Sequence, residues 1–224
     1  DPDAELSKAA TSKPVEERKA ANVDATVIDP NSGKVVDQRF MRGQADYHFT
    51  LAEAFALEGD PQRAIEEYKL TLIYDPTSAH VRLKLATELM KKGEILQAVD
   101  QAKSAIQIDP KNVEGHLLLG SLYSSSKLYD KSLNEYREVA KLDPDNVEAI
   151  LYIGALLAEQ KKYAEAVTHF KKSASKSEKQ SHLFYYYLGR VELEQKHNSD
   201  AEDAFKKSID GKPDFIEAVL ALGY

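Results

Sequence analysis

From about residue 45 onward, apolar residues fall at helical spacing in segments of about a dozen, and short polar strings separate them. The separators are of two kinds. One kind, as in LEGDP and KKGEI, joins two apolar segments closely. The other carries proline: YDPTS, IDPKN and LDPDN place Pro76, Pro110 and Pro144 at intervals of 34 residues, and Pro213 follows 69 residues later. That last interval is two periods plus one inserted residue. The pattern predicts a repeated unit of two helices joined by a short turn.

Register is kept inside the period. Leu51, Leu85, Leu119, Ile153 and Leu188 coincide, each followed by a small residue: Ala52, Ala86, Gly120, Gly154 and Gly189. Ala64, Ala98, Ser132, Ala166 and Ala201 form a second small series, and Tyr68, Tyr136, Phe170 and Phe205 an aromatic one. The small residues let two helices approach, and the large ones fill the space between successive pairs. Proline ends the second helix, because it pushes the residue before it out of helical geometry. No unit can bury its apolar face alone, so neighbours must stack.

A leucine–small pair, an aromatic three residues on, an alanine in the second helix, an aromatic four later and a closing proline make this chain resemble the tetratricopeptide repeat family. The resemblance covers about four-fifths of the chain. It implies an all-α, right-handed α-solenoid of stacked helix-turn-helix repeats at 45–78, 79–112, 113–146, 147–181 and 182–215, with a partial sixth repeat at 216–224. Three departures stand out. Ala102 replaces the usual aromatic of repeat 2. Repeat 4 lacks its proline, and its longer polar linker SASKSEKQS predicts a looser joint. Repeat 5 has Glu192 at an aromatic position, where the carboxylate must tilt to the rim or find a partner, the rim being the expected place.

The resemblance also implies a binding surface, because in this family the first helices line a concave face. Counting each repeat from its first residue, position 5 supplies Phe49, Leu83, Leu117, Leu151, Tyr186 and Leu220. Position 6 supplies Lys84, Leu118, Tyr152 and Tyr187, and position 9 supplies Ser121, Ala155 and Arg190. The candidate groove is therefore Phe49, Leu83, Lys84, Leu117, Leu118, Ser121, Leu151, Tyr152, Ala155, Tyr186, Tyr187 and Arg190. It has an apolar line, a shallow centre and an aromatic end, which suits an amphipathic helix or an extended segment with apolar anchors. Of the consecutive tyrosines, Tyr185 is assigned to the core, and Tyr186 and Tyr187 to the groove. Asp46, Glu53, Glu114, Glu148, Glu159, Glu194 and Glu217 outnumber Lys84, Lys91 and Arg190 on this face, so a neutral to basic, partly apolar protein or peptide is the expected partner. Some family members grip the acidic tail of heat-shock chaperones with lysines, asparagines and an arginine. Here those positions hold Phe49, Glu53, Lys84, Glu114 and Leu118, so that activity does not carry over.

Residues 1–44 differ in kind. They are polar, out of phase with the repeat, and carry ATVIDPNSGKVVD, where β-branched runs flank a turn cluster. The segment is expected to be extended or a hairpin, and to dock on protein. The chain opens on Asp1 and closes in FIEAVLALGY, which reads as a helix continuing past Tyr224.

A net charge of −7 argues against nucleic acid, whose phosphates need a basic surface. No apolar run approaches the ~18 residues of a membrane span. The absence of cysteine excludes disulfides, thiolate metal sites and thiol nucleophiles. NSGK lacks the glycine and hydroxyl residue of a phosphate loop, Ile28 and Val35 standing in their places. The six histidines show no metal-ligand spacing, and no cofactor is expected. The reading is a non-enzymatic protein-binding scaffold within a larger assembly. The alternative is a homo-oligomer formed through the C-terminal helix, where Leu220 and Leu222 have no following helix. Similarity to bacterial envelope and pilus-assembly members of the family leans toward an exported, periplasmic protein.

Overall fold

Two short strands rich in β-branched residues come first among the described residues. In the computed structural model, which describes residues 26–28 and 35–223, β1 (Thr26–Ile28) pairs antiparallel with β2 (Val35–Asp37). Val27 is opposite Val36, in the hairpin arrangement that the β-branched runs suggest. Residues 1–25 and 29–34 lie outside the described residues, and with them most of the docking expected of residues 1–44. Asp37 ends β2 and caps α1 (Gln38–Glu58), accepting from the Arg39 N–H at 2.8 Å. Residues 38–44, assigned above to an extended or hairpin segment, are therefore helical. The cap at Asp37 starts the helix before the repeat signature begins.

The chain divides into two compact units, residues 1–81 and 82–224, with the division inside α3. Unit 1 contains the hairpin, α1 and α2 (Pro61–Tyr74), and α1 packs on α2. Gly59 ends α1 in the left-handed region at φ 77°, and Asp60 caps α2 with Pro61 at its first turn. Helix α3 (Ala79–Lys91) carries the chain across the division. Unit 2 continues with α4 (Ile95–Ile108), α5 (Val113–Ser125), α6 (Tyr129–Leu142), α7 (Val147–Glu159), α8 (Tyr163–Lys176), α9 (Ser181–Glu194), α10 (Asn198–Gly211) and α11 (Ile216–Ala221). From α6 to α11 each helix packs on the next, and α7 also touches α9.

The recurring DPxN strings are hydrogen-bonded turns. Asp109 and Asp143 end their helices through N–H donation to Ala105 O and Val139 O. Asn112 and Asn146 then cap α5 and α7, accepting from Gly115 N and Ala149 N at 2.8 and 3.0 Å. Each asparagine also donates back to the aspartate carboxylate. Repeat 4 ends differently. Gln180 precedes α9 without a side-chain cap, and Ser177 donates to its side-chain oxygen instead.

Packing follows the register. Ala64, Ala98, Ala166 and Ala201 are fully buried, as is Ser132, whose hydroxyl donates to Gly120 O at 2.7 Å. Opposite the position-8 glycines lie the aromatic rings of the second helices. A Cβ built on Gly154 would stand 2.1 Å from the fully buried Phe170 ring.

A second series joins the helices of the first four repeats by polar contacts between residues 19 apart. His48 Nδ1 meets Glu67 at 2.6 Å, Arg82 donates to Gln101 at 3.1 Å, and His116 Nδ1 meets Glu135 at 2.8 Å. His169 donates from Nε2 to Ile150 O at 2.8 Å, and burial holds its imidazole below the ordinary pKa.

Two expectations need correction. The fully interior side chain of the aromatic run is Phe184, which is 1% exposed, whereas Tyr185 packs against the core but stays half-buried, with the Lys207 ammonium over its ring. Phe184 occupies the position where Ala149 and Ala218 are also buried, so the core-facing position lies one residue earlier. Glu192 does not tilt to the rim. It is 5% exposed and accepts from His197 Nδ1 at 3.0 Å and from Gln195 Nε2 at 3.3 Å. These donors, supplied by the turn after α9, meet the requirement that a buried carboxylate be hydrogen-bonded.

Candidate functional site

Stacking on buried rings sets the orientation of two tyrosines in unit 2. Tyr152, on α7, lies parallel to Tyr136 of α6, with ring centres 4.8 Å apart and planes 15° apart. Tyr187, on α9, repeats the arrangement on Phe170 of α8, at 6.0 Å and 21°. Tyr136 and Phe170 are fully buried, while Tyr152 is 41% exposed and Tyr187 half-buried. An aromatic of one repeat thus supports the exposed ring of the next, and offset stacking of this kind contributes about 1 kcal/mol beyond burial. Such support fixes the rings before any ligand arrives, which lowers the entropy cost of binding.

Two neighbouring cavities share Tyr187 and Ala155. The larger, ≈ 450 Å³, is lined by Val147, Glu148, Leu151, Tyr152, Ala155 and Tyr187. The smaller, ≈ 160 Å³, holds Glu159, Glu194 and Arg190 over a floor that includes Ala158 and Phe170. Arg190 places its guanidinium 5.7 Å from the centre of the Tyr187 ring, a cation–π distance. Glu159 accepts from the Tyr129 hydroxyl at 3.2 Å.

The sequence-predicted residues divide among several environments. Leu151, Tyr152, Ala155 and Tyr187 meet in the larger cavity, and Arg190 joins Ala155 and Tyr187 in the smaller. Leu83 is 1% exposed, so it is a core residue and not a ligand anchor. Leu117, Leu118 and Ser121 are half-buried along α5, with Leu117 against the core, and Lys84 is half-buried on α3. Tyr186 packs on Phe205 and Phe215 at 5.9 and 5.4 Å, toward α10 and α11, and meets Tyr187 edge-on at 5.3 Å. Phe49 belongs to unit 1, beside Tyr68 and His80. Leu220 is 67% exposed on α11. Sequence reasoning missed the roles of Tyr136 and Phe170 as supports. The signal was available: each stands 16 or 17 residues before the tyrosine it carries.

Tyr136 has a further property. Its hydroxyl is buried with no hydrogen-bond partner among the described residues, and burial pushes its pKa well above the usual phenol range. By contrast, Tyr68, in the same place in repeat 1, donates to Glu53. An unsatisfied buried hydroxyl costs about 1–3 kcal/mol. Tyr136→Phe keeps the ring and its stacking, so its midpoint of thermal unfolding is expected to rise by a few degrees. A fall of similar size would show that the hydroxyl is engaged.

One group of metal-ligand type occurs among the described residues. Atoms of Glu192, His197 and Asp200 lie within 4.8 Å of one another, and the Glu192–His197 hydrogen bond accounts for the closest pair. No helix among the described residues is long and apolar enough to cross a membrane.

Comparison with known proteins bears on the fold. The tetratricopeptide repeat family model matches residues 121–181. No curated protein matches the sequence. Among solved structures, MamA superposes with a TM-score of 0.67 at 20% identity, covering 76% of this chain and 92% of that one. YrrB, described as a TPR protein with an unusual peptide-binding site, gives 0.62 at 20% identity over 78% of this chain and 89% of that one. A tetratricopeptide repeat protein from Parabacteroides merdae gives 0.69 at 21% identity over 80% and 71%. At such identities the likeness establishes the fold. Residues 121–181 thus match the tetratricopeptide repeat family model, and about three-quarters of the chain shares the fold of solved tetratricopeptide repeat proteins.

Proposed function

We propose that the chain is a non-catalytic scaffold that holds a protein segment against Tyr152 and Tyr187, within a larger assembly. The observation that carries this reading is the pair of partly exposed tyrosine rings, each stacked on a buried aromatic and both bordering one apolar cavity. Rigid, partly exposed tyrosines are the side chains most enriched at binding hot spots. The peptide site named for YrrB supports a ligand of the same class.

The test uses peptides selected on the wild-type protein from a random displayed library. A Tyr152→Ala/Tyr187→Ala variant is expected to bind them at least ~30-fold more weakly by fluorescence polarisation, the equivalent of one hot spot of about 2 kcal/mol. Circular dichroism checks that the variant is folded. Equal affinity for both proteins would remove the reading. Self-association through α11 is the second reading, favoured by exposed Ile216 and Leu220. A strict monomer in light scattering over a concentration series excludes it.

A further inference from the structure

We propose that the site reads two features of its partner at once: an apolar side chain in the larger cavity, and a lysine or arginine two to four positions away in the smaller. The inference rests on the binding reading above and adds the chemistry of the occupant. The two cavities are adjacent and share one wall, Tyr187 with Ala155, yet their linings differ. Val147, Leu151, Ala155 and the two tyrosine rings make the first largely apolar. The second has two carboxylates, Glu159 and Glu194, against one cation, Arg190.

Arg190 does not neutralise this pair. Its contact among the described residues is the Tyr187 ring, and neither glutamate forms an ion pair with it. Tyr129 satisfies one oxygen of Glu159, which leaves acceptor capacity on that carboxylate and on Glu194. An incoming ammonium or guanidinium would find several acceptors and net negative charge, and its aliphatic stem could lie along Tyr187. A carboxylate in the same place would be repelled, which gives the site discrimination as well as attraction.

Tyr187 forms the boundary between the cavities, so the two partner side chains must straddle one ring. Alternate residues of an extended segment are about 7 Å apart on one face. Residues three or four apart on a helix are about 5–6 Å apart. Either geometry spans a single tyrosine.

The experiment again uses the random displayed peptide library, selected on the full chain. Selected peptides are expected to pair an aliphatic or aromatic residue with lysine or arginine at that spacing. The best peptide and its basic-residue-to-alanine version are then titrated by fluorescence polarisation against wild type and Glu159→Gln/Glu194→Gln. The parent peptide should lose about tenfold on the neutralised protein, and the alanine version should lose nothing. The parent's affinity should also fall as salt is raised. Peptides that depend on Tyr152 and Tyr187 but carry no basic residue, or ignore the glutamine substitutions, would overturn this proposal and leave the tyrosine site standing. Peptides indifferent to both sets of substitutions would overturn both.

Discussion

Gly154→Ala is expected to destabilise the protein by about 2 kcal/mol, against the ordinary effect of this change in a helix. At an open helical position, alanine is better than glycine by about 1 kcal/mol. At Gly154 the added methyl would stand 2.1, 2.5 and 2.7 Å from three atoms of the Phe170 ring. That ring cannot move aside cheaply, because it is fully buried and stacked with Tyr187. Overpacking costs about 1–3 kcal/mol, and contacts this short belong at or above the upper end. The clash therefore exceeds the helical gain.

Two controls isolate the cause. Gly43, in α1, has no atom within 4 Å of a built Cβ, so Gly43→Ala should stabilise by about 1 kcal/mol. Phe170→Leu should relieve most of the penalty of Gly154→Ala, so the double-variant cycle should be strongly non-additive. Chemical denaturation supplies the energies. If Gly154→Ala is as stable as wild type, the close approach of α7 and α8 is not what holds this repeat together.

His116→Ala is the second large effect, at about 2–3 kcal/mol. The imidazole is 8% exposed, with Nδ1 2.8 Å from Glu135 and Nε2 3.1 Å from Pro110 O. Hydrogen bonds to charged groups contribute about 1.5–3 kcal/mol, and removing one partner leaves the other desolvated. The change also opens a void in a well-packed interface between α5 and α6. His48 makes the equivalent contact in unit 1 and is buried almost as well, but it has no carbonyl contact among the described residues, so His48→Ala should cost about half as much. Urea midpoints would test the order, and equal losses at both sites would contradict it.

The fold was readable because its information is periodic. Leu119 and Gly120 can be recognised without knowing what they touch, since Leu85–Ala86 and Ile153–Gly154 recur one period away. Local chemistry agreed with that period, down to Asn112 and Asn146 as helix caps. The register held across the inserted residue, since Phe184 stands where Ala149 and Ala218 are buried. Periodicity alone does not say which of two adjacent positions is enclosed by the core, and Tyr185 is the half-buried one. Glu192 could not be placed because its donors come from the turn at Gln195 and His197, outside the repeated pattern. The site was only partly legible. That Tyr152 and Tyr187 would be exposed followed from register, but their support by Tyr136 and Phe170 depends on packing between repeats. The separation of an apolar cavity from an acidic one depends on which side chains meet across α7 and α9, and no single helix contains that information.

The fit of Gly154 to Phe170 also constrains how such a gene can be recombined. These residues belong to the two helices of one repeat, so a crossover at the turn near Lys161 separates them and can bring a larger residue against the ring. A crossover at the Asp143–Asn146 linker inherits them together. Duplications and exchanges in this lineage should therefore have their viable breakpoints at the aspartate–proline linkers, where the transferred segment includes both halves of the fit.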